Sequence, residues 1–254
     1  MGRVRMIGRP RTGGGKPRSR LNKARLAAAL AVAAGAVLAA APPDAELAAR
    51  IAQRFAGAKG LGHESLRVSV RDGVASIGGV VSDLSRSWRA REVAGGIRGI
   101  VEVVDRTTVR NAGRPDAEIL AEVQAALRDG KQTAGLEVSA SIEGGTVTLS
   151  GRITDGRRRF DARDAAARVP GVVAVVDRIS TPPSEDERIR QWAAAQLDGS
   201  AGEGVDGSFE LAVAGGVVTL RGTAPTVRDR ERAERTVLGI NGVKGLVDEV
   251  TVVP

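Results

Sequence analysis

Cysteine and tyrosine are absent from the 254 residues, histidine occurs once, and aromatic rings are limited to three Phe and two Trp. The missing cysteines exclude a disulfide framework, thiolate metal sites and a lipid-modified N-terminal cysteine. A single histidine, His63, leaves one candidate for any imidazole ligand or general base, so a His-rich metal site and a repeated Ser-His-Asp arrangement are both excluded. No metal or other cofactor is expected. Scarce aromatics require aliphatic cores of Ala, Val, Ile and Leu. Small modules with such cores are marginal alone and gain from packing against neighbours.

Acidic residues are missing from one stretch. Residues 1–41 hold nine Lys and Arg and no Asp or Glu, against a net charge of +8 for the whole chain. Past residue 41 there are twenty-nine basic and thirty acidic residues. The basic character therefore belongs to the leader, and the body has no nucleic-acid footprint. Within the leader, Leu26 to Ala41 runs sixteen residues without a charge before Pro42-Pro43. A basic region, an apolar run and small residues at its end make a secretory signal peptide. Cleavage after Ala39 or Ala40 would place the protein in the periplasm or another extracytoplasmic space. The alternatives are an anchor formed by residues 26–41, which falls short of the roughly 20 residues that span comfortably, or a soluble Ala-rich helix. Gly13-Gly14-Gly15-Lys16 is not a phosphate loop, because the preceding strand and the following Ser/Thr are lacking.

What is present is a repeat. Gly73-Val-Ala-Ser-Ile-Gly-Gly79 aligns with Gly145-Thr-Val-Thr-Leu-Ser-Gly151 and Gly216-Val-Val-Thr-Leu-Arg-Gly222. Gly99-Ile-Val-Glu-Val-Val-Asp105 aligns with Gly171-Val-Val-Ala-Val-Val-Asp177 and Gly242-Val-Lys-Gly-Leu-Val-Asp248. From Gly79, Gly151 and Gly222 to Gly99, Gly171 and Gly242 is twenty positions each time, and the copies are offset by 72 and then 71. The chain divides into a leader, 1–41, and three modules, 44–110, 116–182 and 186–253.

Each module reads α-β-β-α-β. Helices are predicted over Asp44–Ala56, Asp116–Arg128 and Asp186–Leu197, each opened by an Asp suited to an N-cap. Apolar residues follow at helical spacing, as in Leu47, Ile51, Phe55 and Ile119, Val123, Leu127. Strands over Leu66–Val70, Leu136–Ile142 and Phe209–Val213 turn through glycine into a second strand, which is hairpin chemistry. Second helices over 83–98, 155–169 and 226–240 lead through a glycine to a Val-rich closing strand. The class is α+β, with two helices on one face of a three-stranded mixed sheet and the other face more exposed. The first glycine of each copy supplies positive φ in the turn, and the one before the closing strand suits a helix C′ position. Asp105, Asp177 and Asp248 are expected at strand ends, in turn or cap roles, because no partner acid or nucleophile recurs beside them.

These residues resemble the BON module of bacterial envelope proteins. The resemblance covers 44–110, 116–182 and 186–253. It rests on the Gly-x-Val-x-Leu-x-Gly stretch, the Ala-bearing second helix and the Gly-Val-x-x-Val strand. The first copy departs with Ala75 and Ile77 at the Val and Leu positions. The resemblance implies a non-enzymatic envelope module that associates with phospholipid or with other envelope components.

Candidate contact residues lie on the second helices. Ala90, Ala94 and Ile97 form the core stripe of the first copy. Trp88 falls roughly 160° round the wheel from Ala90 and is predicted to face away from that core. Arg86, Arg89 and Arg91 lie close to it in sequence. The equivalent position is Phe160 in the second copy, flanked by Arg157 and Arg163, and Glu231 in the third. A ring beside guanidinium groups suits an anionic membrane interface; the alternative is burial between neighbouring modules. Trp192, sharing a stripe with Ile189 and Ala193, is expected in the core, and His63 in a solvated loop. The copies also differ in charge: +3 over 44–113, zero over 114–183 and −4 over 184–254. The expectation is an envelope protein that binds anionic phospholipid through the first two copies and supports envelope integrity or osmotic-stress tolerance. The alternative is a scaffold that binds other envelope proteins or copies of itself.

Overall fold

Leu47, Ile51 and Phe55 recur every four residues, so they line one stripe of a helix and are buried together. That helix, α1, spans Asp44–Gly57. It is followed by β1 (Ser65–Arg71), β2 (Val74–Val81), α2 (Leu84–Gly95) and β3 (Glu102–Val109). The second module repeats the order with α3 (Asp116–Asp129), β4 (Val138–Glu143), β5 (Thr146–Arg152), α4 (Arg158–Ala167) and β6 (Ala174–Ser180). The third has α5 (Asp186–Leu197), β7 (Ser208–Ala214), β8 (Val217–Ala224), α6 (Val227–Leu238) and β9 (Gly245–Val252). This computed structural model describes residues 42–111, 113–199 and 204–253; the signal or anchor segment expected within 1–41 lies outside them.

In each module the hairpin's second strand is central, antiparallel to the first strand and parallel to the third. The α+β class and the mixed three-stranded sheets are as the sequence predicts. Alternation decides the faces. Leu66, Val68 and Val70 of β1 join Ala75 and Ile77 of β2 under the two helices, while Arg67, Ser69 and Arg71 point out and are exposed. The same alternation sets the other two cores, around Val147 and Leu149 and around Val218 and Leu220.

Each hairpin turn has positive φ at both central residues: 52° and 75° at Asp72-Gly73, 55° and 76° at Gly144-Gly145, and 61° and 84° at Gly215-Gly216. Those values are type I′ geometry. The Asp that opens each module is tied to this turn. Its N-cap role is overturned: Pro43, Pro115 and Glu185 hold the N-cap positions without side-chain bonds, and the Asp is the first helical residue. Its carboxylate accepts both turn N–H groups, at 2.8 and 3.2 Å for Asp44, 2.7 and 2.9 Å for Asp116, and 2.6 and 2.8 Å for Asp186. A carboxylate there also sits at the positive end of the helix dipole.

Gly79, Gly151 and Gly222 have φ of 128°, 157° and 133°. A Cβ on each would lie within 2.1 Å of the neighbouring strand's carbonyl oxygen at Ser65, Glu137 or Ser208. Close backbone approach thus explains the repeated motif glycine. Gly99, Gly171 and Gly242 are not at a helix C′ position; the caps are Gly96, Arg168 and Gly239. The repeated aspartates are not at strand ends either. Asp105, Asp177 and Asp248 lie inside β3, β6 and β9, and each accepts the backbone N–H two residues on, at 2.8, 2.9 and 3.0 Å. Their other oxygens reach the second helix of the module: Ser87 donates to Asp105, while Arg159 pairs with Asp177 at 3.2 Å and Arg230 with Asp248 at 3.6 Å. Trp192 is 46% exposed rather than in the core. The stripe of α5 is completed by Ile189, Ala193 and Leu197, and the ring lies on its flank beneath Arg188, 5.9 Å away.

Candidate functional site

The second helices carry the candidate contacts, and they meet one another. Leu84, Gly156 and Val227 are equivalent by the repeat offsets. Leu84 does not belong to its own core. It is buried in that of the second module, with Ala166, Ala167, Val169 and Val172. Val227 is buried in the core of the first module, beside Ala90 and Ala94, against Gly95, whose Cβ would stand 3.2 Å from that of Val227. Gly156 meets the third module, where a Cβ would stand 2.4 Å from the carbonyl oxygen of Gly239. The first module therefore docks on the second, the second on the third and the third on the first.

The Gly156 position lacks a side chain, and the second-to-third joint is made by hydrogen bonds instead. Gly156 N–H donates to Asn241 Oδ1 at 2.8 Å, and Asn241 Nδ2 donates to the Thr154 carbonyl at 2.6 Å. Arg159 Nη1 donates to the Leu238 carbonyl at 3.0 Å. The local sequence explains the difference. Asp83 and Thr226 cap α2 and α6 by accepting from Arg86 and Asp229 N–H. Asp155-Gly156-Arg157 instead forms a turn, so α4 starts only at Arg158, later than predicted.

Of the seven candidate contacts, four lie at this junction, Arg86 is tied within its own module, and two are at the surface. Trp88 does face away from its own core, as predicted, but its ring packs on the core of the second module. It is therefore not on an outer helix face. Arg163 lies 5.2 Å from the Trp88 ring and 5.9 Å from that of Phe160, and Arg235 of the third module covers Phe160 at 4.6 Å. Burial pulls the Arg163 guanidinium below its ordinary value. Its buried Nε has no hydrogen-bond partner. Arg91 pairs with Glu231 at 2.7 Å, and Arg235 with Asp164 at 3.2 Å. Arg86 is tied to Asp83, at 3.3 Å, and to the Gly60 carbonyl. Arg89, paired with Glu92 at 2.6 Å, and Arg157 remain exposed.

Chemically the junction is a set of ring–cation and ion-pair contacts. Glu234 on α6 differs from Arg91 and Arg163 at the same repeat position. Its carboxyl is pushed up to about 7, chiefly by burial, then by its hydrogen bond to Asp248 and the charge of that neighbour. Among the described residues no group of three or more His, Cys, Asp or Glu is placed to hold a metal ion, and His63 is exposed. Sequence reasoning missed Leu84, Gly156, Val227 and Asn241. For Leu84 and Val227 the signal was an apolar residue at one repeat position of copies one and three, outside the Ala stripe; Gly156 and Asn241 carried none.

These features define a class: tandem α+β repeats that use their second helices to hold one another and leave their sheets outward. The chain belongs to the BON domain family, whose model matches residues 43–111, 115–183 and 186–254. It is similar to Osmotically-inducible protein Y of Escherichia coli (strain K12), with 26% identity over 143 residues, 53% of this chain and 71% of that protein. Among solved structures, the C-terminal domain of CdsD, a structural protein of the type III secretion system of Chlamydia trachomatis, aligns at 13% identity and a TM-score of 0.23, covering 84% of this chain and all of that one. The PrgH periplasmic domain aligns at 12% identity and a TM-score of 0.21, covering 74% and 95%. Overlaps that low carry no weight for the architecture.

Proposed function

We propose that this chain is a non-enzymatic cell-envelope protein that serves tolerance of osmotic stress by attaching to anionic phospholipid outside the cytoplasm. Its BON membership and its likeness to an osmotically inducible protein support the envelope and osmotic parts of that reading. The lipid part rests on one observation. Arg89 and Arg157 stay exposed on the second-helix side, while Trp88, Phe160 and Arg163 beside them are engaged between modules. Cations without a free ring meet headgroup phosphate peripherally, so attachment is electrostatic and weakens with salt. Among the described residues no helix is long and apolar enough to cross a membrane. Export through cleavage near residue 40 completes the reading, and N-terminal sequencing of the mature protein checks it.

The test is co-sedimentation of the full chain with phosphatidylglycerol-containing vesicles and with neutral vesicles, at low and high salt. Binding is expected only to the anionic vesicles at low salt, and the Arg89→Gln/Arg157→Gln double variant is expected to bind less. Equal binding to both vesicle types, or none, would sink the lipid reading. A second reading, an assembly scaffold, is favoured by the outward sheet faces, whose charges differ from module to module.

A further inference from the structure

The strand register places equivalent residues in rows across the outer face of each sheet. In the first module one row is Arg67–Gly78–Arg106. In the second it is Ser139–Ser150–Arg178, and in the third Glu210–Arg221–Glu249. The first row carries two positive charges, and the third a net negative one, with two Glu around one Arg. Arg67 and Arg106 are exposed and have no ion-pair or hydrogen-bond partner among the described residues. Between them Gly78 presents no side chain, and a Cβ there would meet nothing within 4 Å. In the third module Glu210 and Glu249 flank a central Arg221, which pairs with Glu249 at 2.6 Å.

We propose that the outer face of the first module's sheet docks on the outer face of the third module's sheet in a second copy of this chain, joining copies head to tail. The two outer positions of either row are two strand spacings apart, about 9.6 Å, so two arginines on one face match two glutamates on the other. The Arg221 side chain lies over the bare Gly78. Each row reads alike in both directions, so the match survives either relative strand direction. Val80 on the first face, and Val217 and Val247 on the third, are 41%, 41% and 45% exposed. With the two sheets' strands opposed, these side chains come to the same side of the charged row and add apolar contact there. The net charges of the modules, +3 and −4, act in the same sense at longer range.

Such an interface is heterologous, so it forms rings or open chains rather than a closed two-fold dimer. Three strands of seven residues offer roughly 330 Å² per side, well below the roughly 800 Å² per partner of a standard stable interface. Association is therefore weak, concentration-dependent and sensitive to salt. This inference does not depend on the phospholipid reading, and its test contains no lipid in its main arm.

Sedimentation velocity of the full chain is followed over a concentration series extending to the upper micromolar range, at low and high salt. The wild-type sedimentation coefficient is expected to rise with concentration at low salt only. Two charge-reversed chains, Arg67→Glu/Arg106→Glu and Glu210→Arg/Glu249→Arg, each present like charges at the interface. Each alone is expected to associate about tenfold or more weakly, and an equimolar mixture to regain association, because each supplies the charges the other has lost. Unchanged circular dichroism verifies that both fold. The proposal is overturned if the wild type stays monomeric throughout, if either variant alone associates like wild type, or if mixing restores nothing. It is equally overturned if Arg67→Glu/Arg106→Glu abolishes binding to anionic vesicles while self-association persists, which would make the face a membrane surface.

Discussion

Two kinds of joint hold the three modules together. Where the first meets the second and the third meets the first, a Leu or a Val from the start of one second helix is buried in the neighbour's core. Where the second meets the third, the same position is Gly156, and the joint is backbone and Asn241 hydrogen bonds with close glycine approach. The first kind is driven by removing apolar surface from water. The second gains little net free energy per bond but is costly to leave half-made. One scaffold can thus dock on itself by desolvation or by polar matching, according to a single position.

The largest break in that comparison is Leu84→Ala. The side chain is 9% exposed and fills a core to which its own module does not belong. Its loss is expected to cost about 2–5 kcal/mol, with separation of the first and second modules' unfolding transitions in denaturant. A change confined to the first module would argue against the plug. Asn241→Ala comes next. It removes the acceptor of Gly156 N–H and the donor to the Thr154 carbonyl, for an expected loss of about 1–2 kcal/mol. Amide exchange at Gly156 should quicken while exchange in the first module is unchanged.

How much of this was legible beforehand follows from what periodicity can report. The repeat glycines, the alternation of β1 and the stripe of α1 act within one module, so the α-β-β-α-β order and the core faces were readable. The wheel also placed Trp88 away from its own core. It could not say what covers the other side, because that depends on where a partner some seventy residues away comes to lie. The same limit hid the docking of Leu84 and Val227. Local misreadings have local causes. Asp44 carries a capping oxygen, yet Pro43, which carries none, holds the N-cap position, and the hairpin turn takes the Asp44 carboxylate. Trp192 shares a helix with small residues that fill the stripe without it.

The third module sharpens the contrast by pH. Glu234 stands where the other modules have Arg91 and Arg163, and faces Asp248, Arg230 and Glu231. Its folded carboxyl titrates at about 7 against an ordinary value of 4.5, so between those values the folded state holds a proton that the unfolded chain has released. The stabilisation is fully present below the ordinary value and is lost as pH rises through about 7. Thermal unfolding of the third module should therefore shift down from mildly acidic to mildly basic pH, and Glu234→Gln should remove that dependence. A Glu234→Gln chain that keeps the full dependence would place its origin elsewhere.

The smallest expected effect is at Arg91 and Glu231, the ion pair that joins the first and third modules beside the Val227 plug. Their side chains remain 39% and 30% exposed, at 2.7 Å, so solvent screens the pair and its worth should lie near 0.2–1 kcal/mol. A double-mutant cycle with Arg91→Gln and Glu231→Gln should return a coupling in that range, shrinking as salt is raised. A much larger, salt-insensitive coupling would mean that the third-to-first joint is held by charge rather than by burial of Val227. The two kinds of joint would then differ less than their geometry says. Val227→Ala decides between them: if burial governs, it costs about 2 kcal/mol, more than the whole ion pair.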